Sequence, residues 1–293
     1  GSMLLPSIVA LGVMYASAVI ASRVDFLQID LVRYFGGQDA TSLFGLSSTS
    51  MAFFVWIVIL MIYVYIASIL PVWKLLQPRD YINSHQLIVG LGLLYLGLLF
   101  TNPEITAPMT NGSADVSWFP LLFITIACGA ISGFHGLVSS GTSSKQLNKE
   151  TDARFVGYLG AVGEGALALI AIIACITFCP NVEEFKATYS GFAAASGAGL
   201  GVFIKGAGQL ATGVGIPADI AATIVSVIIV SFAATTLDSS VRLMRYIIAE
   251  LGEEYKVNPL TNAHVATTIA VVSSAALTLL PQGQPLQSYP VLH

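Results

Sequence analysis

Charge is scarce in this chain. Only 10% of its 293 residues are Asp, Glu, Lys or Arg, where a soluble domain carries about a quarter. That shortage, set against 55% hydrophobic residues, excludes a disordered segment, which needs the opposite balance. Basic residues are scarcer still: twelve Lys and Arg against sixteen Asp and Glu leave a net charge of −4. No basic surface is available for nucleic acid. Three cysteines, Cys128, Cys175 and Cys179, are too few for a disulfide scaffold. The zinc-protease HExxH, the hydrolase GxSxG and the phosphate-cradling GxxxxGK[ST] are all missing from the sequence, which argues against an enzyme or an ATP-driven pump. What the chain has is apolarity, with a mean hydropathy of +0.80, and it lies in long runs.

Seven runs are candidate membrane spans: 4–22, 52–73, 87–100, 117–138, 157–179, 219–237 and 264–280. About 20 apolar residues in a helix cross a hydrocarbon core about 30 Å thick. The third run is short and must borrow Gln86 and Thr101 or tilt; the last must extend through Asn262. The runs do not alternate as barrel strands do, so the spans are expected to be helical. Basic residues give a second test. Lys74, Arg79, Lys145, Lys149, Arg154, Arg242, Arg245 and Lys256 all fall in alternate connections, while the others hold only Arg23, Arg33, Lys186 and Lys205. By the positive-inside rule, 74–86, 139–156 and 238–263 face the cytoplasm.

The expected organisation is a tag scar at 1–3, one transmembrane helical domain at 4–280 and a tail at 281–293. The fold class is an all-α polytopic membrane protein of about seven helices.

Chemistry is sought where the membrane makes polarity expensive. All charged residues fall in connections or at span edges except Glu164. It sits about 10 Å along the fifth span by helix rise. A carboxylate there is disfavoured by about 2.5–3.5 kcal/mol on insertion scales, so it commonly faces a cavity or carries a proton. Its small neighbours Gly157, Gly160, Ala161, Gly163 and Gly165 allow a close helix approach. It is therefore either a protonatable interior group or a neutral Glu bonded across a helix pair. At the end of the fourth span, His135 precedes the hydroxyl cluster Ser139, Ser140, Thr142, Ser143 and Ser144 around Gly141. Those hydroxyls suit a carboxylate or peptide group, and equally suit helix capping. No third ligand joins Cys128 and His135, so a metal is not expected. Cys175 and Cys179 read as apolar filler.

After the second span, Pro71 and Pro78 break a helix or start a new one. Arg79 and Asp80 follow; as adjacent residues they share no helix face and take separate partners. The sixth span runs into Asp238 and Arg242, four apart in the favourable order for a helical pair. Val241, Met244, Ile248 and Leu251 then recur at helical spacing and suggest an amphipathic helix on the cytoplasmic surface. Between 191 and 215 lie eight glycines with Lys205 and Gln209. This stretch is either a broken or re-entrant segment of the kind transporters use at mid-membrane, or a tightly packed helix, or a flexible loop.

Three segments resemble the carbon starvation protein A family of bacterial transporters: Pro71-Val-Trp-Lys-Leu-Leu-Gln-Pro-Arg-Asp-Tyr81; Ile126-Ala-Cys-Gly-Ala-Ile-Ser-Gly-Phe-His135 with Ser139-Ser-Gly-Thr142; and Thr236-Leu-Asp-Ser-Ser-Val-Arg242-Leu-Met-Arg-Tyr246. The likeness covers about 56–165 and 219–251. It implies uptake of peptides, or of small carboxylates such as pyruvate, coupled to protons, with sodium as the alternative ion, and no cofactor is expected. It also implies carbon starvation, a bacterial inner-membrane location, a LeuT-type inverted-repeat fold and a chain longer than this one. From the matched motifs and their chemistry, Glu164 and Asp238 are the expected proton-coupling residues. Arg79, Asp80, His135, Ser139, Ser140, Thr142 and Arg242 are the expected substrate contacts. The alternatives are a membrane-embedded enzyme centred on His135, or a seven-helix receptor. A retinal protein is disfavoured because 264–280 contains no lysine.

Overall fold

The computed structural model describes residues 4–24, 29–37, 48–109, 118–131 and 134–279. The expected tag scar and tail lie outside them. Regular structure among the described residues is helical throughout. The helices are α1 (Leu4–Arg23), α2 (Leu31–Tyr34), α3 (Ser48–Ile69), α4 (Leu76–Thr101), α5 (Trp118–Ile131), α6 (Phe134–Val138), α7 (Asp152–Thr177), α8 (Val182–Thr188), α9 (Phe192–Thr212), α10 (Ala218–Glu254) and α11 (Ala263–Leu279). Five of them, α1, α3, α4, α7 and α10, are long and apolar enough to cross a membrane, and α11 is a shorter apolar helix. The expected fourth span is described as α5 and the five-residue α6, with 132–133 outside the described residues.

Two readings of the connections change. The third span does not start at 87. Helix α4 begins at Leu76 and takes in Pro78, Arg79 and Asp80. Pro78 sits in the first turn, where a missing N–H leaves no bond unmade. The sixth span and the amphipathic stretch after it are one helix, the 37-residue α10. At 1.5 Å per residue it is about 55 Å long, well beyond the hydrocarbon thickness. On its C-terminal half Val241 and Leu243 are buried, while Met244 and Leu251 are exposed.

The chain divides into two compact units, one of Gly1–Ile20 with Ile82–Ser231 and one of Ala21–Tyr81 with Phe232–His293. In the first, Leu94, Ile170, Ala174, Ala207, Leu210, Ala211, Ala221 and Val225 form one core drawn from α4, α7, α9 and α10. A satellite cluster holds Phe178, Cys179 and Val202, with Phe185 and Tyr189 against it. The glycine-rich stretch is an unbroken helix, α9. Two of its glycines, Gly206 and Gly208, stand where another helix comes close. A Cβ on Gly206 would fall inside the van der Waals envelope of the Ala174 carbonyl on α7, and one on Gly97 of α4 would strike the Leu210 carbonyl on α9. Small residues let helix backbones touch where no hydrophobic force pulls them together. Gly206→Ala is therefore expected to destabilise the chain in detergent by about 1–3 kcal/mol, through overpacking against backbone that cannot yield. Gly197→Ala, with nothing within 4 Å of the added carbon, is the matched control in thermal unfolding. Equal behaviour of the two variants would remove the close-approach explanation.

In the second unit, α11 packs on α3, and Val64, Val241 and Ala270 make the core, with Tyr63, Leu237, Ile248 and Val271 around it. Helix α3 stops before Pro71; its last intrahelical bond there runs from Leu70 N–H to the Ile66 carbonyl, 3.1 Å. An apolar groove of about 350 Å³ between α3 and α11 is lined by residues such as Met61, Tyr65, Thr268 and Val271.

Candidate functional site

The second unit buries the charges. Asp238 on α10 is 2% exposed, Arg242 4% and Arg245 9%. Their spacing of four and three residues puts all three on one side of the helix. Arg79, from the first turn of α4, reaches Asp238: its Nη1 donates to Asp238 Oδ2. The same Nη1 donates to the Tyr63 hydroxyl at 2.6 Å, and Tyr63 in turn donates to Asp238 Oδ2 at 3.0 Å. Three groups from α3, α4 and α10 thus close one hydrogen-bonded triangle.

Arg242 does not pair with Asp238 as the four-residue spacing suggested. Its Nη2 donates to the Ala67 carbonyl at 2.6 Å and to the Leu70 carbonyl at 2.9 Å. Those carbonyls end α3, and the residue four beyond Ala67 is Pro71, which has no N–H to offer. Arg242 supplies the missing donor and places a cation at the negative end of the helix. Asp238 prefers Arg79 because Arg242 is held by the helix end.

Of the three arginines, Arg79 contacts Asp238, Arg242 is held at the end of α3, and Arg245 lies over the Tyr246 ring at 4.7 Å. Asp80, next to Arg79, is exposed. Several polar atoms of the cluster are buried with no partner among the described residues: Arg79 Nε and Nη2, Asp238 Oδ1, Arg242 Nε and Arg245 Nε. Buried polar atoms in native proteins are nearly always bonded, to protein, water or ligand. Open guanidinium donors suit an anionic group.

The remaining expected residues lie in the first unit. His135 Nε2 is 3.3 Å from Glu164 Oε1, and both side chains are exposed, 67% and 59%. Glu164 is thus on an open face of α7 among the described residues, with an imidazole as its neighbour. The hydroxyl cluster forms a π-helical turn, Ser139–Ser143. Ser139 and Ser140 both donate to the Gly136 carbonyl, at 3.0 and 2.8 Å, and Ser144 donates to the Ser140 carbonyl at 2.9 Å. These hydroxyl protons serve their own turn, leaving oxygen lone pairs as acceptors. Thr142 lies in the same turn, half-buried.

Sequence reasoning missed Tyr63, Asn83 and Gln86. Asn83 accepts from Ser231 at 2.7 Å, and Gln86 is wholly buried. Residues 79, 83 and 86 fall on one helical face, a pattern hidden because 74–86 reads as a connection. Tyr63 gave no signal at all. No group of three or more His, Cys, Asp or Glu suited to a metal occurs among the described residues. Cys179 and Tyr189, outside the spans, sit in the aromatic satellite cluster. Burial pushes the Cys179 thiol up, and burial with the neighbouring Cys175 pushes the Tyr189 phenol up to about 12. A thiol that resists ionising is a poor metal ligand.

The family model for carbon starvation protein CstA matches residues 1–190 and 182–293. The peptide transporter CstA of Helicobacter pylori (strain ATCC 700392 / 26695) is 46% identical over 139 residues, which is 45% of this chain and 20% of that protein. The pyruvate/proton symporter BtsT of Escherichia coli K12 is 43% identical over 127 residues, 41% of this chain and 18% of that protein. The peptide transporter CstA of the same strain is 39% identical over 155 residues, 50% and 22% respectively. The matched region therefore spans about a fifth of these relatives' length. No solved structure matches. With both halves of its length on the family model, and with motif-bearing residues gathered into a buried charged cluster among apolar helices, the chain belongs to the carbon starvation protein CstA family.

Proposed function

We propose that this chain is the substrate-handling part of a secondary active transporter that imports peptides, or small carboxylates such as pyruvate, across the bacterial cytoplasmic membrane in symport with protons. It acts as a carrier rather than an enzyme, within a LeuT-type inverted-repeat arrangement of about seven spans. The observation that carries this reading is the buried Arg79–Asp238–Tyr63 triangle with Arg242 and Arg245 beside it. Ionised groups inside apolar spans are disfavoured and persist where they handle ions or substrate. The names of the relatives point the same way.

In this reading Arg79 holds the substrate's anionic oxygen. Asp238 and Glu164 carry protons: Asp238 faces a cation whose grip weakens when the carboxylate is neutral, and Glu164 has His135 as proton partner. The π-helical turn at Ser139, Ser140 and Thr142 offers acceptors; such turns are frequent at functional sites. Asp80 and Arg242 flank the cluster.

The test is uptake into proteoliposomes of labelled dialanine and pyruvate, for this chain and for a full-length family member carrying the matching substitutions. Accumulation is expected only with an alkaline interior. Glu164→Gln or Asp238→Asn is expected to leave counterflow exchange and abolish accumulation. Accumulation that survives collapse of the pH gradient would refute proton coupling.

A further inference from the structure

The groove between α3 and α11 takes one face from each helix. Ile57, Met61 and Tyr65 recur every four residues on α3, and Thr268, Val271 and Ala275 every three or four on α11, so each set lies on one side of its helix. The volume of about 350 Å³ falls in the range of small-molecule sites. The lining is apolar apart from two hydroxyls. Thr268 closes its own by donating to the His264 carbonyl at 2.8 Å. The Tyr65 hydroxyl stands 3.3 Å from His264 Nδ1, in the first turn of α11. Open polar chemistry is thus confined to one end. Val58 and Ile62 on the rim are exposed, so the groove opens outward from the helix pair.

The dimensions choose the occupant. From Ile57 to Tyr65 the groove runs about 12 Å along α3 by helix rise. Spread over that length, 350 Å³ gives a cross-section of about 30 Å². A helix with its side chains is about 10–12 Å across and does not fit so narrow a channel. Nor can a helix come close from outside. The α3 side is Ile57, Val58, Met61, Ile62 and Tyr65, with no glycine, alanine or serine, whereas helices in membranes meet at small residues. A single hydrocarbon chain is thin, flexible and apolar. The polar end also fits. On the orientation that the basic residues predict, the end of α3 and the start of α11 lie on the cytoplasmic side. The Tyr65–His264 end of the groove is then at headgroup level, where tyrosine is enriched, and the other end points toward the midplane. The Tyr65 O–H and the imidazole can hydrogen-bond ester or phosphate oxygens.

We infer that the α3–α11 groove is a binding site for one acyl chain of a cytoplasmic-leaflet phospholipid, with Tyr65 and His264 at its ester end. Val271 lines the groove and also packs on the core of Val64, Val241 and Ala270. A bound chain therefore continues that core outward and fastens α11 to α3. The tail leaves one apolar setting for another, so its hold comes from packing contacts rather than from escape from water. The site does not depend on what the chain transports.

The test is native mass spectrometry of the delipidated full chain in detergent, titrated with dioleoyl phosphatidylglycerol. One saturable lipid adduct is expected. Dibutyryl phosphatidylglycerol has the same headgroup but tails too short to fill the groove, and glycerol phosphate has no tail. Both are expected to bind about 10-fold more weakly or worse, because the packing contacts along the tail supply the affinity. Ala275→Trp places an indole in the groove and is expected to weaken the dioleoyl lipid by a similar factor. Leu99→Trp, at an exposed position on α4, is expected to leave it unchanged. The comparison of lipids on the unaltered chain does not depend on either variant folding. Equal affinity for long and short tails, displacement by glycerol phosphate, equal loss in both variants, or a dimer of the chain in place of the lipid adduct overturns the site and leaves the transporter reading untouched.

Discussion

Asp238→Ala is expected to lower the stability of the chain in detergent by about 3–5 kcal/mol, and Arg79→Ala by a similar amount, because each leaves its partner as a buried, unpaired charge. The side chains are 2% and 17% exposed, so water cannot take over the lost interaction at Asp238 and can do so only in part at Arg79. The sizes of the single effects do not measure the worth of the pair, since most of each is the penalty on the charge left behind. The paired replacement Arg79→Met with Asp238→Leu removes both charges together and should recover most of the loss; adding Tyr63→Phe removes the remaining polar member of the triangle. Unfolding free energies for the unaltered chain, Arg79→Met, Asp238→Leu and the pair, the four corners of one cycle, give the coupling directly. Losses that simply add would mean the two charges do not share an environment, and the triangle would cease to be the candidate site.

The distinction between stability and function matters for the same residues. Replacing an ion pair inside protein by well-packed apolar side chains is often neutral or stabilising. A chain that keeps Arg79 and Asp238 in an apolar setting therefore gains little fold from them, and the uptake assay is where their loss should show. The paired variant that is stable but inert is the most informative outcome for the transporter reading.

How much of this was legible in the sequence depends on what each feature rests on. Apolar runs such as 52–73 and 157–179 announced α3 and α7 because length and hydropathy suffice for a span. Boundaries failed where polar residues continue a helix: Pro78, Arg79 and Asp80 read as a connection, yet a proline in a first turn is compatible with α4. The Asp238–Arg242 pairing failed for a different reason. Spacing within one helix shows which side chains can meet, but Arg79 and the end of α3 are distant in sequence, and they compete for the same two groups. Glu164 was found by its isolation inside a span, a one-dimensional signal; its neighbour His135, 29 positions earlier, is a tertiary fact. The glycines of 191–215 left a break, a packed helix and a loop all open, because glycine is a poor helix former. In the structure Gly206 lies against the Ala174 carbonyl, and that contact explains the glycine where local propensity does not.

Arg242 tests the difference between a positioning residue and a substrate contact. If its task is to complete the end of α3, Arg242→Ala should destabilise the substrate-free chain by about 2–4 kcal/mol, the value of charge-assisted hydrogen bonds to two carbonyls. Arg242→Lys should recover only part of this, because a point charge on a flexible stem cannot match the planar fork at both oxygens. The deficit originates in Pro71, which denies the Ala67 carbonyl its helical donor. Pro71→Ala restores an N–H at that position, and in its background Arg242→Ala should be milder by about 1 kcal/mol or more. A substrate contact would behave otherwise: stability without ligand would hardly change, the Pro71 background would make no difference, and dialanine affinity alone would fall. Thermal or detergent-induced unfolding of the four variants in this second cycle, without ligand, separates the two roles, and an unchanged substrate-free stability for Arg242→Ala would return Arg242 to the list of substrate contacts.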